Sequence, residues 1–126
     1  SQYVRPDVGL AGGFTQTKKI AAIAESYHSA VVTHNFLGPI LTAASVHLDI
    51  TIPNFITQEF TMTDETSKYD FIDSGLTRKG GYIMLPDKPG LGVNINKEML
   101  KNTPYEPLDL NTQVPFRNDN SNAFSV

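Results

Sequence analysis

Residues 31–49, VVTHNFLGPILTAASVHLD, decide the fold. The run over residues 30–33, β-branched at all but its first position, has the length and composition of a buried strand. His34 follows it directly. Gly38-Pro39 then punctuates the chain, and Pro39 suits the first turn of a helix. Residues 40–48 are apolar nearly all round, which predicts a deeply packed helix. The same alternation continues on both sides. Upstream, YVRPDV predicts a short strand with Pro6 near its end, where a missing N–H does least harm. GLAGG is a turn, Thr15 is the expected N-cap, and Ile20, Ile23, Ala24 and Tyr27 follow at helical spacing. Downstream of Pro53, FITQEF supplies a third strand.

Strand, helix, strand, helix, strand is an α/β pattern with parallel strands and crossover helices. The strands recur about every 27 residues, close to the ~30 of a minimal βαβ unit. Three such strands fit either an open doubly wound sheet or an arc of a (β/α)8 barrel. Residues 1–60 carry this rhythm, and residues 61–126 lose it. TMTDETSKYDFIDSG is polar and turn-rich, and GYIMLPDKPGLGVNIN holds short extended pieces broken by Pro and Gly. KEMLKNTPYEPLDL has room for one helical turn, and the Asn-rich tail NTQVPFRNDNSNAFSV is expected to pack on a neighbour or fray. There is no internal repeat.

The 126 residues are 40% hydrophobic and 18% charged, enough for one modest domain with a core. The net charge of −3, without clustered Lys or Arg, argues against nucleic acid or an anionic membrane as partner. No apolar run approaches the ~18 residues of a membrane span, and no basic-then-apolar leader pattern opens the chain. Cysteine is absent, which removes disulfides, a thiolate nucleophile and cysteine metal sites. The expected location is cytoplasmic.

In parallel α/β folds, functional groups gather at the C-terminal ends of the strands, whose loops face one opening. Asp7, His34 and Glu59 each fall at such an end, one per successive unit. His34 lies 27 residues after Asp7, one βα repeat, so the two side chains are expected to be neighbours on adjacent strands. A carboxylate beside an imidazole fixes its tautomer and stabilises its protonated form, as general-base work requires. Glu59 would hydrogen-bond an oxyanion if protonated, or a hydroxyl if ionised. Structural roles compete with these: Asp7 capping a turn, His34 satisfied in a loop, Glu59 paired with a lysine. His28 suits a helix C-terminus, His47 lies within the second helix, and Lys18 and Lys19 are expected to be solvated. The glycines of GLAGG match neither dinucleotide nor P-loop spacing.

Taken in order, RPDVGLAGGFTQTKKIAAIAE, VVTHNFLGPILTAASVHLD, PNFITQEF and DKPGLGVNIN resemble the C-terminal portion of the mandelate racemase branch of the enolase superfamily. The likeness is greatest to its sugar-acid dehydratases, of the galactonate, gluconate and mannonate kind. It implies the last three strands of a (β/α)7β barrel over residues 1–60, with residues 61–126 returning to an α+β capping domain. It also implies Asp7 and His34 as an acid–base dyad, with Glu59 at the end of the last strand. The reaction implied is removal of the proton next to a carboxylate and loss of the 3-hydroxyl, giving a 2-keto-3-deoxy sugar acid. Magnesium is the implied cofactor, with its carboxylate ligands on strands outside this chain. A full barrel needs about 250 residues, so the partners implied are a small-molecule sugar acid and a complementing N-terminal portion, with a homo-oligomer as the assembled state. Thr33 and Phe36 depart from the pattern, which commonly has Pro at both positions. A racemase or epimerase of the same superfamily, or a non-catalytic assembly module lacking the metal site, are the alternatives.

Overall fold

The computed structural model of the chain describes residues 2–61, 69–85 and 87–104. Its centre is a three-stranded parallel sheet made of β1 (Tyr3–Val4), β2 (Ala30–Thr33) and β3 (Phe55–Gln58), in that spatial order. Two helices make the crossovers, α1 (Gly13–Ser26) and α2 (Pro39–Asp49). This is the predicted alternation, with α2 starting at the proline that can open a helix without losing an internal hydrogen bond.

The core lies between the sheet and the helices. Val8, Ala21, Val31, Ala44, Leu48 and Ile52 form it, with Val4, Leu41, Phe55 and Leu91 packed against them. Burying a Val or Leu side chain contributes about 1.5–3 kcal/mol, so these contacts hold the strand ends in register. Asn54 reinforces the start of β3: its amide nitrogen donates to the carbonyls of Ala21 and Ser29, both at 3.0 Å.

The expectations for α1 need correction. Thr15 does not cap it. The cap position is Gly12, at φ +96°, with no side-chain capping bond, and the chain enters the helix three residues earlier than the polar pattern suggested. Of the stripe Ile20, Ile23, Ala24 and Tyr27, Ala24 is buried, whereas Ile23 and Tyr27 are 62% and 79% exposed. Thr17 and Ala21 are the other buried residues of the helix. Small residues let the helix approach the sheet closely, and the bulky stripe beside them turns outward.

Beyond residue 61 the chain forms small antiparallel pairs. The first joins β4 (Ile72–Asp73) to a later strand, and the hairpin β5 (Thr77–Lys79) with β6 (Tyr82–Met84) follows. The partner of β4 is β7 (Asn94–Ile95), after which α3 (Lys97–Lys101) supplies the expected helical turn. Asn96 caps α3 through bonds from the N–H groups of Glu98 and Met99. The predicted polar segment is described only in part, and the Asn-rich tail lies outside the described residues. Among those residues no helix is long and apolar enough to cross a membrane.

Gly38, between β2 and α2, shows how the two parts of the chain fit together. It sits at φ +105° and ψ 176°, a region open in practice to glycine alone, and a Cβ there would lie 3.1 Å from the Tyr69 ring. Gly38→Ala is therefore expected to destabilise the fold by about 1–3 kcal/mol. Urea unfolding checks this; an unchanged midpoint would mean that the turn has another accessible geometry.

Candidate active site

The sheet brings all three strand-end residues together. Pro6 follows β1 closely and its carbonyl accepts the His34 N–H at 3.0 Å, so Asp7 and His34 extend the parallel pairing by one bridge beyond the strands. On the other side the Glu59 N–H donates to the Thr33 carbonyl at 2.9 Å. Backbone pairing thus delivers three side chains to one edge.

His34 Nδ1 is 2.8 Å from Asp7 Oδ2. The other carboxylate oxygen of Asp7 accepts the Leu10 N–H at 2.9 Å, which holds the carboxylate in place within its own turn. Asp7 is buried, and the His34 side chain keeps about a quarter of its surface exposed. A neutral imidazole beside a fixed carboxylate donates through Nδ1, which leaves the lone pair on Nε2. Nε2 faces Glu59 Oε2 at 3.6 Å. The Phe36 ring meets the imidazole edge-on, with centroids 5.0 Å apart and planes at 77°.

Glu59 is not paired with a lysine. Its Oε2 accepts the Asn35 N–H at 3.2 Å and meets Arg5 Nη2 at 2.7 Å. The hydrogen bond from the Asn35 peptide N–H holds its carboxyl below the usual carboxylate range; burial opposes this, and Arg5 adds to the lowering. Glu59 is therefore the ionised acceptor of the two forms considered from sequence, able to receive a hydroxyl and unable to donate to an oxyanion. Arg5 and Asn35 escaped the sequence reading. Arg5 left a signal, since it stands two residues before Asp7 and shares its side of the extended chain.

The remaining candidates fall elsewhere. His28 sits just after α1 at φ +56°, where its N–H donates to the Glu25 carbonyl at 2.9 Å. His47 is half-buried within α2. A cavity of about 290 Å3 lies between α2, β3 and the β5–β6 hairpin, lined by Asp49, Phe55, Gln58 and Tyr82 among others. It shares no residue with the Asp7–His34 pair.

The carboxylates at the strand ends do not fit a divalent cation. Asp7 spends one oxygen on the imidazole and one on a peptide N–H, and Glu59 is neutralised by Arg5. Among the described residues no three His, Cys, Asp or Glu side chains are grouped to hold a metal. Calorimetric titration of this chain with magnesium is expected to give no saturable site at sub-millimolar concentration; a tight stoichiometric site would contradict the geometry.

Comparison with known proteins gives a consistent result. The family model for enolase C-terminal domain-like proteins matches residues 1–99. The chain is 39% identical over 127 aligned positions to a D-galactonate dehydratase from Xanthomonas euvesicatoria pv. vesicatoria, covering 95% of this chain and 33% of that protein. A D-galactonate dehydratase from Pectobacterium atrosepticum is 38% identical over 111 positions, covering 80% of this chain and 29% of the relative. Among solved structures, a mandelate racemase/muconate lactonizing enzyme from Jannaschia sp. aligns with a TM-score of 0.76 at 29% identity, over 86% of this chain and 28% of that one. An enolase from Pantoea ananatis, solved with bound D-gluconate and Mg, aligns with a TM-score of 0.72 at 32% identity, over 83% of this chain and 26% of that one. The chain spans about a third of the length of the curated relatives it matches.

Proposed function

Because the chain belongs to the enolase C-terminal domain-like family, we propose that it is the C-terminal portion of a sugar-acid dehydratase, with Asp7 and His34 as its acid–base dyad. The observation that carries this reading is the 2.8 Å contact between Asp7 Oδ2 and His34 Nδ1 at the ends of neighbouring parallel strands. The names of the relatives, D-galactonate dehydratases, support the substrate class, as does the D-gluconate bound to one structural neighbour.

The chemistry follows from the tautomer. With its proton on Nδ1, the His34 ring presents a basic Nε2 to the substrate and removes the proton from the carbon next to the carboxylate. Asp7 offsets the positive charge that the ring then acquires. Glu59, held as an anion beside Nε2, accepts a hydrogen bond from a sugar hydroxyl and so orients that carbon toward the base. Loss of the 3-hydroxyl from the resulting carbanion gives an enol that becomes the 2-keto-3-deoxy acid. The leaving-group acid and the magnesium ligands belong, in this reading, to barrel strands outside the chain. Residues 1–60 supply the last three βα units, and residues 61–126 return to the capping domain.

The test is complementation. The chain, combined with the first two thirds of one of the D-galactonate dehydratases, is incubated with galactonate or gluconate and the product followed by NMR. The expected product is the 2-keto-3-deoxy acid. Inversion next to the carboxylate without loss of water would make the protein a racemase or epimerase. A folded, substrate-binding assembly with no turnover would reduce the chain to a structural module.

A further inference from the structure

The residue immediately after His34 makes more contacts with Glu59 than His34 does. Asn35 is wholly buried. Its peptide N–H donates to Glu59 Oε2 at 3.2 Å, and its side-chain nitrogen donates to the Glu59 carbonyl, also at 3.2 Å. The same nitrogen donates to Thr42 Oγ1 at 2.7 Å, in the first turns of α2. The Glu59 carbonyl can only accept, which fixes which end of the Asn35 amide faces it.

We propose that Asn35 is the positioning residue of the site, gripping Glu59 at both its carboxylate and its backbone and so setting the distance between Glu59 Oε2 and His34 Nε2. The proposal rests on the dyad reading above and assigns a role that neither Asp7 nor His34 fills. A buried amide with its oxygen left without a partner is an expensive way to fill space, and an apolar side chain would occupy the same volume without that penalty. What only the amide provides is the second donor on Glu59. Arg5 also touches Glu59, but its side chain is 55% exposed, so it supplies charge with little rigidity. Asn35 is anchored instead to α2 through Thr42, whose hydroxyl is itself bonded to the Gly38 carbonyl at 3.2 Å. The helix that follows the dyad histidine thereby holds the last carboxylate of the site in place.

Two readouts separate this proposal from the dehydratase reading. The first needs no activity. The 126-residue chain is labelled in its glutamate carboxyls, and Glu59 is titrated by isotope-edited infrared spectroscopy, with assignment by difference from Glu59→Gln. Asn35→Leu is expected to raise the Glu59 midpoint toward the ordinary glutamate value, because the loop that presents the Asn35 N–H loses its second hold. The second readout uses the complemented enzyme, in which Asn35→Leu is expected to lower kcat roughly 10- to 100-fold with little change in KM. Should that variant fail to fold, Thr42→Val removes the helix anchor at nearly constant volume and is expected to move both readouts in the same direction to a smaller extent. A folded variant that lowers thermal stability and leaves the Glu59 midpoint and kcat unchanged would make Asn35 a structural residue and overturn the proposal. If the wild-type assembly is inactive, the dehydratase reading fails, and the infrared titration still decides whether Asn35 holds Glu59.

Discussion

Replacing His34 with alanine is expected to lower kcat of the complemented enzyme roughly 10²–10⁴-fold, the range a positioned general base supplies, while substrate binding persists. In the neutral ring Nε2 keeps a free lone pair, because the Asp7 carboxylate holds the proton on Nδ1. Asp7 is committed to Nδ1, and Glu59 to Arg5 and the Asn35 N–H. Asp7→Asn tests the same unit differently. An amide can donate to Nδ1, which would place the ring proton on Nε2 and remove the base without moving the ring. Both variants are expected to retain their circular dichroism spectrum and to bind a substrate analogue. Because the pair acts as one device, the double variant is expected to be little worse than His34→Ala alone. Independent, multiplying losses would mean that Asp7 works elsewhere than through the imidazole.

The second large effect concerns stability. Asp49 ends α2 with 5% of its surface exposed, and its Oδ1 accepts the Thr33 hydroxyl. Burial pushes its carboxyl up to about 7 from an ordinary 3.8, and the Thr33 bond offsets only part of that. The helix C-terminus disfavours the same negative charge. Between about pH 4 and 7 the folded chain therefore keeps a proton that the unfolded chain has released. The associated stability is complete below the unfolded value and is lost as pH rises through the folded one. At 1.36 kcal/mol per unit, the loss across the window is at most about 4 kcal/mol. Asp49→Asn keeps an oxygen to accept from Thr33 and has nothing to ionise. Urea unfolding at fixed protein concentration is expected to show the wild type weakening from pH 4.5 to 8 while the variant stays level. By pH 8 the variant is expected to be the more stable by about 2 kcal/mol. Parallel profiles would show that the carboxylate finds a cation or water that lets it ionise in place.

The parallel sheet was legible because its signals are local. The β-branched residues 31–33, the Gly38-Pro39 break and the apolar residues after it each predict one element, and their spacing of one βα unit predicts adjacency. The same spacing placed Asp7, His34 and Glu59 at one edge, where backbone pairing holds them. What failed depends on partners distant in sequence. Whether Ala21 or the bulky Ile20 and Ile23 join Ala24 in facing the sheet turns on how closely α1 packs, and the small residue won because it permits the shorter approach. Thr15 lost the cap to Gly12 because the glycine takes the left-handed turn into the helix without strain. Asn35 and Asp49 carry no motif. Their roles come from Glu59 and Thr33, 24 and 16 residues away, and from a buried setting that composition cannot reveal.

Nitrogen-15 NMR of the imidazoles tests the dyad most directly, with the His34 signals identified by comparison with His34→Gln. At a pH where the ring is neutral, the proton should reside on Nδ1 and the Nε2 resonance should have the shift of an unprotonated nitrogen. In Asp7→Asn the pattern should reverse. A neutral His34 with its proton on Nε2, unaffected by the loss of the Asp7 carboxylate, would contradict the assignment of His34 as the base.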